Sequence, residues 1–271
     1  MYRNERNFIK TIYERITNME NKKIRVTVWN EFRHEKHEGS KAQELYPNGI
    51  HAKIKSFLDE CDDLEVRIAS LDDPDQGIPD EVLDNTDVLM WWGHCHHDAV
   101  RDDRVEYIRR RVYTGGMGFV ACHSAHESKP FKAIVGTSGR LSWGDEYPEI
   151  MWNLKPSHPI AQGIPDHFNL ELEELYAEPF YIPDPDDLIF AAWYPTGHIF
   201  RAGATYTRGM GRIFYFQPGH EVCPSFYNPY VQQILKNGVH WCAPTKPGYE
   251  VKEECPYIGP CYAGYKKADE E

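Results

Sequence analysis

The sequence predicts an α/β fold: a doubly wound, mainly parallel sheet with antiparallel additions. Between Ile24 and Cys122, apolar stretches of strand length alternate with stretches of helical spacing, the rhythm of successive βαβ units. The stretches 87–92 and 118–122 are apolar on both faces, as strands must be when helices cover both sides of a sheet. After Gly136 the rhythm changes to short strands broken by Pro, Gly and Asp, read as an antiparallel extension or as strands returning to the main sheet.

Residues 1–20 place Phe8, Ile9, Ile12, Tyr13 and Ile16 at helical spacing, which predicts an amphipathic helix ahead of the main fold. Ile24–Trp29 is the first strand. Asn30 to Asn48 is polar, carries His34 and His37, and is long for a strand-to-helix connection. Such loops tend to be functional or mobile; a solvated excursion over the surface fits equally. A helix over 49–60 turns Ile50, Ile54, Phe57 and Leu58 inward. Leu64–Ala69 is the second strand, 79–85 a short helix and 87–92 the third strand. Val105, Ile108, Val112 and Tyr113 mark a helix stopped by Gly115-Gly116. Strand 118–122 follows, with a helix after it. Later strands are expected at 150–154, 168–172, 188–193, 199–202 and 213–216. The last helix, Asn228 to Trp241, buries Val231, Ile234, Leu235 and Val239. This gives an extension over 1–23, a domain over 24–243 and a tail over 244–271.

A formal net charge of −12 argues against nucleic acid or an anionic membrane surface as partner, but does not exclude a neutral sugar. No run approaches the ~18 apolar residues of a membrane span, and Met1 to Lys23 lacks the apolar core of a signal peptide. Seven widely spread cysteines fit a reducing compartment, so a cytoplasmic location is expected. Cys255 and Cys261 match no common zinc spacing and are read as unpaired.

Three apolar strands run directly into histidines. Asp87–Gly93 leads to His94-Cys95-His96-His97, Gly118–Cys122 to His123-Ser124-Ala125-His126, and Arg212–Gln217 to Pro218-Gly219-His220-Glu221. In an open parallel sheet the carboxyl ends of the strands share one edge, where ligands bind. No Gly-Lys-Ser/Thr phosphate loop occurs, and Gly116-Met117-Gly118 lacks a third glycine, so no nucleotide cofactor is expected. A Gly-x-Ser-x-Gly elbow is absent too. His123 takes the exposed turn position, which sends the Cys122 side chain into the sheet as a structural thiol.

Gly118-Phe119-Val120-Ala121-Cys122-His123-Ser124-Ala125, Leu154…His158-Pro159-Ile160, Glu173-Glu174-Leu175-Tyr176 and Gly211–Phe216…Gly219-His220 together resemble the trehalose-utilisation ThuA family, over residues 24–243. The resemblance implies a flavodoxin-like fold similar to class I glutamine amidotransferases. Those enzymes carry a cysteine at the elbow and a His-x-Glu pair near the C-terminus. Here the elbow holds His123, and His220 and Glu221 are adjacent, so the thioester chemistry lacks an obvious nucleophile.

The imidazoles of His94, His123 and His220 come from three strand ends and could hold zinc or another divalent metal, with His96 or Glu174 as an alternate or fourth ligand. They could instead perform metal-free acid–base work, tuned by Glu174 or Glu221. Catalytic candidates are therefore His123, His220, Glu221 and Glu174, and substrate-binding candidates are Tyr176, Trp92 and His96. An exposed strand or turn is the plain reading of Glu173-Glu174; the resemblance implies instead that Glu174 and Tyr176 face the site. His97, His126 and His158 are supporting or capping candidates, while His51, His167, His198 and His240 fall outside the site.

The resemblance further implies utilisation of trehalose or a related disaccharide, acting on a 3-keto sugar made by a partner dehydrogenase. A carbonyl beside an acidic C–H suits isomerisation, elimination or glycoside cleavage. The alternatives are an amidohydrolase of amidotransferase type and a non-catalytic sugar-binding or regulatory protein. A homo-oligomer is expected. Cys122→Ser should keep activity within roughly tenfold, under about 1.4 kcal/mol of transition-state stabilisation. A far larger loss in a protein with unchanged circular dichroism would restore the nucleophile.

Overall fold

The computed structural model describes residues 23–245. The expected helix over 1–20, most of the tail, and Cys255 and Cys261 lie outside them. The described residues form nine strands: β1 (Ile24–Asn30), β2 (Leu64–Ser70), β3 (Val88–Trp92), β4 (Gly118–Cys122), β5 (Ser142–Asn153), β6 (His167–Ala177), β7 (Asp187–Trp193), β8 (Ile199–Arg208) and β9 (Gly211–Phe216). Every residue of β3 and β4 is buried, which places both in the middle of a sheet covered on both faces. The sheet order is β2-β1-β3-β4-β9-β8-β7-β5-β6. Its first five strands pair in parallel, and the remaining pairs are antiparallel.

The five strands expected to be parallel form the parallel half, in the order 2-1-3-4-9. This is the flavodoxin-like order, whose ligand crevice lies at the carboxyl ends beside the β1/β3 switch point. The helices are α1 (Lys41–Leu45), α2 (Ile50–Leu58), α3 (Asp80–Asp84), α4 (Asp102–Tyr113), α5 (Lys129–Val135) and α6 (Pro229–Cys242). Among the described residues, no helix is long and apolar enough to cross a membrane.

Three details differ from the sequence expectations. The polar stretch after β1 is structured: a 3-10 turn at His34–Lys36 precedes α1, whose N-cap Ser40 accepts the Gln43 N–H. The helix expected directly after β4 is divided. A 3-10 turn spans His123–Glu127, and α5 restarts behind the N-cap Ser128 with Pro130 in its first turn. The antiparallel strands are also longer than expected: β5 begins at Ser142, β6 runs to Ala177 and β8 runs to Arg208. The polar residues at the start of β5 hide its strand character. It is held by pairing with β6, through Trp143↔Tyr176 and Glu146↔Glu174, with two register irregularities.

The parallel half closes tightly on α6. A Cβ at Gly118 would stand 2.4 Å from the carbonyl oxygen of Cys242, a backbone atom that cannot swing aside. Gly118→Ala should therefore cost roughly 1–3 kcal/mol of stability through overpacking. Denaturant midpoints compared at constant m-value measure this, and an unshifted midpoint would show that α6 gives way freely.

Candidate functional site

His123 is the turn residue after β4 and has φ of 52°, a left-handed conformation rare for a side chain of this size. The turn carries the imidazole past the strand end but leaves it wholly buried, not exposed as the sequence suggested; Cys122 is fully buried too, its thiol pushed up to about 12 by burial. Nδ1 of His123 lies 3.0 Å from the Gln217 carbonyl oxygen. A carbonyl only accepts, so Nδ1 carries the proton and Nε2 keeps its lone pair. Nε2 lies 3.0 Å from Glu174 Oε2 and 3.3 Å from the Tyr176 hydroxyl.

Two buried carboxylates fix the loops that bring the other histidines. Glu31, just past β1, accepts the N–H groups of His94, Cys95 and His96 at 2.9, 3.1 and 2.8 Å. Burial opposes its charge, but these bonds hold the carboxyl below its ordinary range. Glu173, inside β6, accepts the N–H groups of Glu174, Gly219 and His220 at 2.9, 2.8 and 3.1 Å, together with the Ser225 hydroxyl. Burial nevertheless pushes it up to about 7. Gly219 has φ of 140°, and a Cβ there would meet Phe226 at 2.7 Å, so the close approach requires glycine.

The three imidazoles come together. Ring centroids of His94 and His123 are 6.0 Å apart, of His94 and His220 5.4 Å, and of His123 and His220 5.2 Å. One potential ligand atom from each, with one from Glu174, lies within 4.8 Å of all the others. Burial, reinforced by mutual repulsion at His94 and His220, lowers His94 and His123 to about 3 and His220 to about 4. All three are neutral near pH 7, the form that binds metals or takes up a proton. Glu221 Oε2 sits 3.3 Å from His220 Nε2 and 3.4 Å from His94 Nδ1, and burial raises its carboxyl to about 8. Burial also raises Glu174. Oε2 of Glu174 and Oε2 of Glu221 are both buried without a hydrogen-bond partner.

A cavity of about 690 Å³ opens above this cluster. Arg140, Trp143, Asp145 and Glu146 form one wall, and Tyr176 and His126 part of another. Tyr176 stacks on His123 with centroids 5.0 Å apart, and its hydroxyl is 3.0 Å from Ser124 Oγ. Two substrate-binding candidates lie elsewhere. Trp92 is wholly buried because β3 is central, and its indole N–H bonds the Gly219 carbonyl at 2.9 Å, making it a strut under the loop. His96 is exposed, held outward by the Glu31 clamp on its N–H. It lines a smaller depression of about 280 Å³ with His34 and Glu221.

The site also holds residues that sequence reasoning passed over. His34 Nδ1 is 3.4 Å from Glu221 Oε1, Glu146 Oε1 is 3.5 Å from His220 Nδ1, and Glu31 and Glu173 set the loops. Glu31 is set off from the 24–29 stretch by polar Asn30, a weaker signal than the direct step from Cys122 to His123. Glu173 and Glu174 are buried within β6, not exposed.

A family profile described as ThuA, trehalose utilisation, matches residues 25–242. The chain belongs to the ThuA family. A role in carbohydrate utilisation follows from ThuA membership at that level of detail. A ThuA-like protein from Parabacteroides merdae is 18% identical, with 87% of this chain and 95% of that chain covered and a TM-score of 0.61. A second, from Bacteroides uniformis, is 15% identical, with 82% and 91% covered and a TM-score of 0.56. A cytoplasmic protein from Salmonella typhimurium is 11% identical, with 81% and 99% covered and a TM-score of 0.57. These likenesses show that ThuA-like structures share the fold. No curated protein matches the chain.

His126 offers a test of the buried imidazoles outside the central cluster. Its Nδ1–H donates to the Gly139 carbonyl at 2.6 Å, its ring packs against Tyr176, Phe180 and Tyr215, and burial lowers it from 6.5 to about 3. The unfolded chain takes up this proton first. The stability contribution is therefore present above about pH 6.5 and is lost as pH falls toward about 3. Melting temperatures should fall more steeply below pH 6.5 in the parent than in His126→Gln; parallel curves would show that His126 contributes nothing to acid lability.

Proposed function

We propose that the chain acts on a keto-sugar derived from trehalose or a related disaccharide, moving a proton beside its carbonyl at the His94, His123 and His220 centre. The observation that carries this reading is the convergence of three neutral imidazoles and Glu174 within 4.8 Å, with His94, His220 and Glu174 lining an open cavity and His123 wholly buried. The donor set fits a divalent cation such as zinc. It offers three neutral nitrogens and one carboxylate oxygen, His123 has its tautomer set by the Gln217 carbonyl, and Glu174 Oε2 is buried without a donor. A bound divalent ion supplies Lewis acidity, polarising a carbonyl oxygen or lowering the pKa of a water.

The chain's own residues supply the rest. Glu221, raised to about 8 and 3.3 Å from His220, is poised to hold and deliver a proton near neutrality. Tyr176, bonded to Ser124 and stacked on His123, holds that ring in place and offers its hydroxyl beside Nε2. The open cavity admits substrate to His94 and His220, while His123 is buried away from bulk water. Asp145, Glu146, Glu127 and Glu174 outnumber Arg140 along its lining, which disfavours phosphorylated sugars and suits a neutral one. Trp143, 73% exposed on the rim, gives a flat face for stacking against a pyranose. A ketone in such a sugar requires prior oxidation of a hydroxyl, the work of a partner dehydrogenase. The amidohydrolase alternative lacks an accessible thiol at the elbow.

Turnover of a 3-keto-disaccharide is expected to disappear with a chelator and to return with zinc or manganese. His123→Ala should lower kcat/KM roughly a hundredfold or more, the scale of a lost acid–base group. Turnover indifferent to both would sink the reading. Retained sugar binding with no turnover of any keto-disaccharide would establish the non-catalytic alternative.

A further inference from the structure

We propose that the chain holds a second, thiolate-bearing site for a divalent ion of borderline softness, zinc or cobalt, formed by His34 Nε2, His94 Nδ1 and Cys95 Sγ; it shares His94 with the central cluster, so the single lone pair of that neutral ring serves one ion at a time. It lies in the partition between the large cavity and the smaller depression. His94 and Cys95 line the former and His34 the latter.

Two of the three ligand–ligand edges match those of a tetrahedral site. Zinc binds imidazole nitrogen at about 2.0–2.1 Å and thiolate sulfur at about 2.3 Å, so tetrahedral angles place two nitrogens about 3.3 Å apart and nitrogen and sulfur about 3.6 Å apart. His94 Nδ1 is 3.2 Å from His34 Nε2 and 3.5 Å from Cys95 Sγ. Potential ligand atoms of His34, His94 and Cys95 also lie within 4.8 Å of one another.

The surroundings suit the same arrangement. His34 Nδ1 is 3.4 Å from Glu221 Oε1, and a proton shared on that side leaves Nε2 with its lone pair directed at His94 Nδ1. A carboxylate behind a ligating imidazole is the usual way such a ring is oriented. Glu31 holds the main chain of His94 and Cys95 by their N–H groups, so the two adjacent ligands are positioned before any ion arrives. Cys95 is exposed and can exchange its thiol proton with solvent as the sulfur–metal bond forms. A donor set of two imidazoles and one thiolate selects zinc or cobalt over magnesium or calcium.

Cobalt(II) reports on this site separately from the nitrogen and oxygen donors of the centre in the proposed reaction. Titrating the reduced full chain with cobalt(II) should produce a thiolate-to-cobalt charge-transfer band in the near ultraviolet, lost on adding zinc. Cys95→Ser and His34→Ala should each reduce the band at least tenfold, with circular dichroism unchanged. His123→Ala should retain it, because none of the three ligands is altered. Failure of the keto-sugar reading would appear as absent turnover and leave the band in place. A parent protein without the band, or a band that survives both Cys95→Ser and His34→Ala, would overturn the second site.

Discussion

A buried carboxylate held by neutral donors is the interaction on which the site depends. Glu173 gathers the N–H groups of Glu174, Gly219 and His220 and the hydroxyl of Ser225 around one side chain. It thereby ties the antiparallel edge ribbon to the loop after the last parallel strand. Without it, two loop N–H groups would be buried without partners, at about 1–3 kcal/mol each, and His220 would have no fixed direction. Glu31 performs the same task for the loop bearing His94. Both clamps act on the main chain, so the imidazoles remain free to face each other.

Bringing neutral imidazoles together is the electrostatic counterpart of this arrangement. Three ordinary histidines at ring separations of 5.2 to 6.0 Å would repel when protonated. Burial lowers all three so far that they are neutral across the physiological range. The same burial raises Glu174 and Glu221. The cluster thus assembles from groups whose charges are mostly suppressed, and its neutral imidazoles keep lone pairs free for an ion rather than for a proton.

Much of this was legible in the sequence where chemistry sits directly beside an apolar strand. Gly93-His94, Cys122-His123 and Gly219-His220 all read that way, and a parallel sheet delivers such ends to one edge. The parallel half was legible for the same reason. What escaped lies where tertiary contact overrides local pattern. His34 sits in a polar stretch without periodicity. Glu173 looks like a solvent-facing strand residue until donors 46 and 47 positions away arrive to bury it. Trp92 looks like a cleft aromatic, yet the central position of β3 leaves its ring no route to the cavity.

The β5–β6 ribbon has a consequence for how such a protein can diversify. Arg140, Trp143, Asp145 and Glu146 sit before or within the irregular start of β5, near the outer edge of the sheet, whereas His94, His123 and His220 stand on the parallel half. The residues around the cavity mouth and the three histidines therefore sit on different parts of the chain, with Glu174 and Tyr176 of β6 joining them. Insertions or exchanges around residues 140–146 can reshape what enters while the imidazoles keep their places. One scaffold can in this way present differently shaped cavities above the same three imidazoles.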